Sequence, residues 1–100
     1  MEDARSEAIV VRNNEAASRF EAMVAGQLAV AEYVLSPTTI TFTHTRVPDA
    51  VSGRGIASQL IEAGLALARQ RHLRVIPRCS FVSAYLRRHP GFQDLLAVED

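Results

Sequence analysis

Between Thr38 and Val47 threonine alternates with Ile40, Phe42, His44 and Arg46, a period of two that predicts a strand with those four residues on one face. From Gly55 to Arg71 the period becomes helical. Ile56, Leu60, Gly64, Leu67 and Arg71 fall on one stripe, with Ile61 and Ala68 beside it. A glycine inside a helix costs about 1 kcal/mol relative to alanine, so Gly64 is read as permitting close approach to a strand. Upstream, Ile9 to Val11 is a short β-branched run halted by Arg12-Asn13-Asn14-Glu15, which predicts the first strand. Phe20 to Val24 and Gln27 to Leu35 flank Ala25-Gly26 and predict a hairpin, with the glycine at positive φ. The second arm sets Leu28, Val30, Glu32 and Val34 on one face and Ala29, Ala31, Tyr33 and Leu35 on the other, which predicts an inner strand covered on both sides. Downstream, Leu73 to Pro77 is a short apolar strand. Ser80 to Arg88 follows as a helix burying Phe81, Val82, Tyr85 and Leu86 and ended by Pro90-Gly91. A strand, helix, strand connection of this length implies parallel pairing with a right-handed crossover. The expected class is α/β (α+β): a mixed, mostly antiparallel sheet with a β-loop-α-β-α core. Residues 1–7 carry charge without apolar periodicity and read as a disordered arm, leaving 8–100 as a single domain.

Composition narrows the partners. One hundred residues suffice for one core with little room for a second. Eleven basic residues balance eleven acidic ones, so charge alone holds neither nucleic acid nor a membrane surface, and neither is expected as a partner. No apolar run approaches the roughly 18 residues of a membrane span, and no leader is visible, so the expected location is cytoplasmic. Cys79 is the single cysteine, which rules out an internal disulfide and agrees with a reducing compartment. No histidines and carboxylates stand at metal-ligand spacing, and no metal is expected.

The candidate chemistry lies where the two periods meet. Gly53 and Gly55 bracket Arg54, so backbone N–H groups can approach a ligand closely. The helix that follows opens with N–H groups lacking carbonyl partners, a setting that favours phosphate. The Walker pattern is absent. The dinucleotide fingerprint needs a third glycine where Ser58 stands, and no clear acidic ribose partner follows about 20 residues on.

The run H-T-R-V-P-D-A-V-S-G-R-G-I-A from His44 to Ala57, then V-I-P-R-C-S-F-V from Val75 to Val82 and Y-L-R-R-H-P from Tyr85, resembles small single-domain GNAT-superfamily N-acetyltransferases of the YjdJ or NATD1-like type. The likeness runs from about Gly26 to Pro90. It implies a minimal GNAT fold, acetyl-coenzyme A as cofactor, and transfer of acetyl to a primary amine, on a small molecule or a protein. It also implies that cofactor phosphates sit on Ser52, Gly53, Arg54, Gly55, Ile56 and Ala57, while backbone groups of Thr45, Arg46 and Val47, on a strand splayed from its neighbour, pair with the pantetheine arm. Arg46 and Ser52 depart from the usual glutamate and arginine of that family. The alternative is a non-catalytic acyl-coenzyme A binding or sensing module. A weaker third is a structural interaction domain.

Two residues are candidates for catalysis. The resemblance places Cys79 beside the cofactor thioester, as nucleophile or as acid to the departing thiolate; a lone cysteine otherwise reads as a small buried hydrophobe. His44 could accept the amine proton, a role imidazole side chains commonly take, though strand histidines are usually structural. Tyr85 reads as a packed aromatic, and His72 and His89 as solvated. The chain lacks the elements that wall the acceptor side in larger relatives, so an open cleft, a homodimer or another partner subunit is expected to complete it.

Overall fold

The computed structural model describes residues 9–97, so the arm expected over residues 1–7 lies outside the described residues. Five strands form one sheet in sequence order: β1 (Arg12–Asn14), β2 (Arg19–Val24), β3 (Gln27–Leu35), β4 (Thr39–Arg46) and β5 (Arg74–Pro77). The first four pair antiparallel, and β4 and β5 pair parallel across helix α1 (Ile56–Gln70). Helix α2 (Ser80–Arg88) follows β5 directly.

The core forms where α1 lies on one face of the sheet. Phe20 and Ala22 of β2, Ala29, Ala31 and Tyr33 of β3, Ile40 and Phe42 of β4 and Val75 of β5 meet Ile56, Leu60, Ile61, Leu65 and Ala68 of α1. The helix buries Ile56, Leu60, Ile61, Gly64 and Ala68 as expected and departs from the expected stripe near its C-terminal end. Leu65 is fully buried, Leu67 is half-buried, and Arg71 is exposed just past the helix end, 3.4 Å from Glu15. Sheet packing selects the i, i+4, i+5 set centred on Gly64, whose missing side chain fits the helix against two aromatic rings.

A Cβ at Gly64 would stand 2.6 Å from Cε1 and Cζ of Phe42 and 3.3 Å from Cε2 of Phe20. Phe42 is 1% exposed, so its ring would have to shift within the packed core. Overpacking of this kind costs about 1–3 kcal/mol, against a helix-propensity gain of about 1 kcal/mol. Gly64→Ala is therefore expected to lower stability by about 1 kcal/mol net, measured from the urea midpoint; an unchanged or higher midpoint would contradict the close approach.

Three expectations are corrected. The first strand is Arg12–Asn14, not Ile9 to Val11: Arg12 pairs with Glu21 and Asn14 with Arg19, while Ile9 and Val11 pack against the core as irregular chain. Polar residues form this strand because Glu21, only 8% exposed, accepts from Arg12 Nε (3.0 Å), Asn14 Nδ2 (3.3 Å) and Arg19 Nε (2.9 Å). Tyr33 adds a tie by donating to Asn13 Oδ1 at 2.5 Å. Second, β3 is central but only partly covered on the face away from α1: Val30 is buried there, whereas Leu28 and Val34, with Met23 of β2, are exposed. Third, Phe81 is 44% exposed, because α2 turns Val82, Tyr85 and Leu86 inward at i, i+3 and i+4 spacing.

Hydrogen bonds from Arg19 and Asn14, with Arg12 assisting, hold the Glu21 carboxyl below its ordinary value against the opposing effect of burial. A lowered folded-state pKa contributes stability above the unfolded value, about 4.3, and loses it as pH falls through the folded value. Glu21→Gln is expected to destabilise the protein at neutral pH and to flatten the acid limb of its pH–stability curve. An acid limb identical to wild type would show that other carboxylates govern it.

After α2, Pro90–Leu95 forms a 3₁₀ segment held by Arg69, whose guanidinium donates to Asp94 Oδ2 (2.9 Å) and Oδ1 (3.1 Å). Leu96 then bridges to Val75, giving β5 a short parallel neighbour on its outer side.

Candidate active site

Pro48 ends β4, and Asp49–Val51 forms one 3₁₀ turn that drops Val51 into the core. The chain then passes through Gly53 (φ 81°) and Gly55 (φ 74°) into α1. Both glycines adopt the left-handed conformation, and added Cβ atoms would meet nothing within 4 Å. Gly55 caps α1 without a side-chain hydrogen bond, and the first helical bond is Gln59 N–H to Gly55 C=O (3.2 Å). The N–H groups of Ile56, Ala57 and Ser58 therefore precede the helix's own ladder, with no acid in the first turn to occupy the dipole end. Arg54 is exposed at the apex of the loop. Ile56 is 2% exposed, so it offers the loop its N–H and the core its side chain. Ser52 turns back instead, its hydroxyl donating to Asp49 C=O at 3.0 Å.

Beside this loop β4 and β5 part. Their pairing stops at Phe42 and Pro77, and Phe42 C=O accepts from both Arg78 N–H (3.0 Å) and Cys79 N–H (3.1 Å). Residues 44–46 of β4 continue to pair with β3 alone. At the same point β4 carries a bulge. Pairing runs Leu35↔Ile40, Val34↔Thr41, Tyr33↔Phe42, then skips Thr43 to Glu32↔His44, Ala31↔Thr45 and Val30↔Arg46; Thr43 Oγ1 donates to Glu32 C=O at 3.3 Å. The expected unbroken period of two is thus corrected: Ile40 and Phe42 face α1, whereas His44 and Arg46 turn to the open face. Bulges re-aim side chains in this way. Thr45 in turn faces the α1 side.

There it meets Cys79. The thiol is half-buried at the N-cap of α2, and Sγ donates to Thr45 Oγ1 at 3.4 Å. Burial pushes the thiol pKa up. The Thr45 hydroxyl and the backbone N–H groups of Val82, Phe81 and Thr45 outweigh it, leaving the pKa below the ordinary value.

On the open face, His44 Nδ1 lies 3.5 Å from Glu32 Oε1, and an Arg46 guanidinium nitrogen lies 3.7 Å from the same oxygen. Of the residues anticipated for chemistry, Thr45 and Cys79 come together, and Gly53 to Ala57 form one continuous cradle. His44 and Cys79 do not meet, because they project from opposite faces of the sheet. Glu32 escaped sequence reasoning. A regular ladder continued from Leu35↔Ile40 sets it opposite Thr43, and only the bulge brings His44 there.

Tyr85 is packed as expected: its hydroxyl donates to Glu62 Oε2 at 3.3 Å. Burial, with the charge of Glu62, raises its pKa. His89 is exposed but engaged, its ring stacked 3.9 Å from that of Tyr85 and its Nδ1 2.8 Å from Tyr85 C=O. His72 is exposed in the turn after α1 at φ 59°. Among the described residues no group of three or more His, Cys, Asp or Glu is placed to hold a metal, and no helix is long and apolar enough to cross a membrane.

A β4–loop–α1–β5–α2 unit on a mixed sheet, with an uncapped helix beside parted strands, defines a minimal GNAT-like domain. Residues 19–95 match the family described as GCN5-related N-acetyl-transferase, and the chain belongs to that family. It is similar to protein NATD1 of Xenopus tropicalis, Gallus gallus and Homo sapiens, with 36% identity over 59 residues in each. Those residues are 59% of this chain and 53%, 53% and 51% of the three relatives, so the chain spans about half the length of the curated relatives it matches.

Proposed function

We propose that this domain binds acetyl-coenzyme A and transfers its acetyl group to a primary amine. The observation that carries the reading is the parting of β4 and β5 beyond Phe42, next to the uncapped N-terminus of α1. Membership of an N-acetyltransferase family supports it.

The residues present fit the group. The N–H groups at Gly55 to Ser58 and the Arg54 guanidinium would hold the phosphates, and the β4 edge at Thr45, Arg46 and Val47 would hold the pantetheine arm. Acetyl-coenzyme A supplies an acyl carbon activated as a thioester. In the transfer, a C–N bond forms from the amine to that carbon and the C–S bond breaks. The amine's surplus proton would go to His44 or to water, and the Cys79 thiol would supply a proton to the departing sulfur. Oriented backbone N–H groups stabilise charge developing at the carbonyl, at no reorganisation cost during the reaction. The acceptor approaches from the open face, and its remaining wall comes from the substrate itself, a second copy or another chain. We place the reaction in the cytoplasm, in keeping with a single free thiol.

A second reading, a non-catalytic acyl-coenzyme A sensor, is favoured by the separation of His44 from Cys79 and by the replacement of the usual glutamate by Arg46. One experiment divides the two: pure protein with acetyl-coenzyme A and a panel of amines, following thermal shift and free-thiol release. A shift with amine-dependent thiol release is the expected result. A shift without release selects the sensor, and no shift removes both.

A further inference from the structure

We propose that Glu32 is the positioning residue for His44, its carboxylate at ion-pair distance drawing the ring proton to Nδ1 so that the Nε2 lone pair is free to take the amine proton. The proposal deepens the transferase reading and rests on it for its catalytic meaning. Its geometric content stands separately.

Three observations carry it. The Thr43 bulge places His44 directly across from Glu32, on a face that an unbroken strand would have denied it. Glu32 Oε1 is 3.5 Å from Nδ1, whereas the ring as a whole remains open, with 66% of the side chain exposed, so an acceptor can reach Nε2. The carboxylate is itself restrained: the Glu32 backbone is held at its C=O by Thr43 Oγ1, its side chain is only 31% exposed, and Arg46 lies 3.7 Å from Oε1, at ion-pair distance. Arg46 thus restrains the carboxylate beside His44, both residues reaching it from β4.

A neutral imidazole exposes one lone pair, and which nitrogen carries it is decided by the bond the other makes. A carboxylate on Nδ1 leaves Nε2 as the base, the logic by which an aspartate fixes the tautomer in serine-protease triads. Arg46, where relatives by resemblance carry glutamate, takes on a different task here: it anchors the carboxylate that orients the base.

The test reads the tautomer directly. Long-range ¹⁵N–¹H spectra of the His44 ring are recorded on the full chain without acetyl-coenzyme A, at about pH 8.5, well above the ordinary imidazole range. Wild type is expected to carry its proton on Nδ1. Glu32→Ala is expected to shift it to Nε2, Glu32→Gln to retain it on Nδ1 through the amide oxygen, and Arg46→Ala to retain it as well. A wild-type proton on Nε2, or an unchanged tautomer in folded Glu32→Ala, overturns the proposal. If Glu32→Ala does not fold, the wild-type and Arg46→Ala spectra decide alone, loss of the Nδ1 proton in either being fatal. In turnover, Glu32→Ala should lower kcat about tenfold with KM little changed, the pattern of a group felt in the transition state; an unchanged kcat also overturns it. Absence of acetylation by wild type would sink the transferase reading while leaving the tautomer result intact, so the two failures are distinct.

Discussion

Gly55→Glu should lose coenzyme A affinity by about a hundredfold or more while remaining folded, because it puts a carboxylate at the mouth of the α1 N-terminus. Two like charges about 4 Å apart near a protein surface repel by about 4 kcal/mol, and a hundredfold is about 2.7 kcal/mol. The fold should survive, since a Cβ at this position meets nothing within 4 Å. It should be weakened, since φ is 74° and the left-handed conformation costs an L-residue about 1–2 kcal/mol. Gly55→Ala separates the two effects, sharing the backbone strain without the charge, and should keep most of the affinity. Calorimetry with coenzyme A on both variants measures the difference. Equal, wild-type-like affinity in both would move the phosphates away from this loop.

Cys79→Ala should abolish most turnover and leave coenzyme A affinity nearly unchanged. The thiol contributes no phosphate contact, but it stands at the parting of the strands, hydrogen-bonded to Thr45 and facing the N–H groups of Phe81 and Val82. In wild type, alkylation by iodoacetamide should rise through a midpoint below the free-thiol value of about 8.5, and bound coenzyme A should slow it. Mass spectrometry during turnover should show no acetyl group retained on the protein, because direct transfer to an amine needs no covalent stop. A transient adduct on Cys79 would instead make it a nucleophile. Full turnover in Cys79→Ala would reduce it to packing, and alkylation indifferent to coenzyme A would place the thioester elsewhere.

The loop and its two flanking elements were legible from sequence because their signals are local. Glycines at Gly53 and Gly55 mark positive φ by lacking a side chain, the period of 3.6 begins within one residue of where α1 begins, and Ser80 to Arg88 is bounded by Cys79 and Pro90. Gly64 announced a close approach for the same reason, although which rings it admits, Phe20 and Phe42, comes from strands 22 and 44 residues away in sequence. The helical stripe holds from Ile56 to Gly64 and departs only toward its C-terminal end. Leu65 and Leu67 are equally apolar, and only the sheet beneath chooses between them.

The sequence by itself determined the later four strands, the two α-helices and the glycine turn, which rest on the conformational preferences of neighbouring residues, and the kinship of the domain, which rests on its motifs. Tertiary structure alone decided which strand residues share a face. Ile40, Phe42, His44 and Arg46 keep a perfect period of two, yet the unpaired Thr43 turns the last two outward, sets His44 against Glu32 and leaves Thr45 for Cys79. It also decided that Arg12 to Asn14 would be a strand, since nothing in that polar run favours one until Glu21 gathers its donors. Register depends on pairing with a second strand, and a single extra residue reverses every side chain after it.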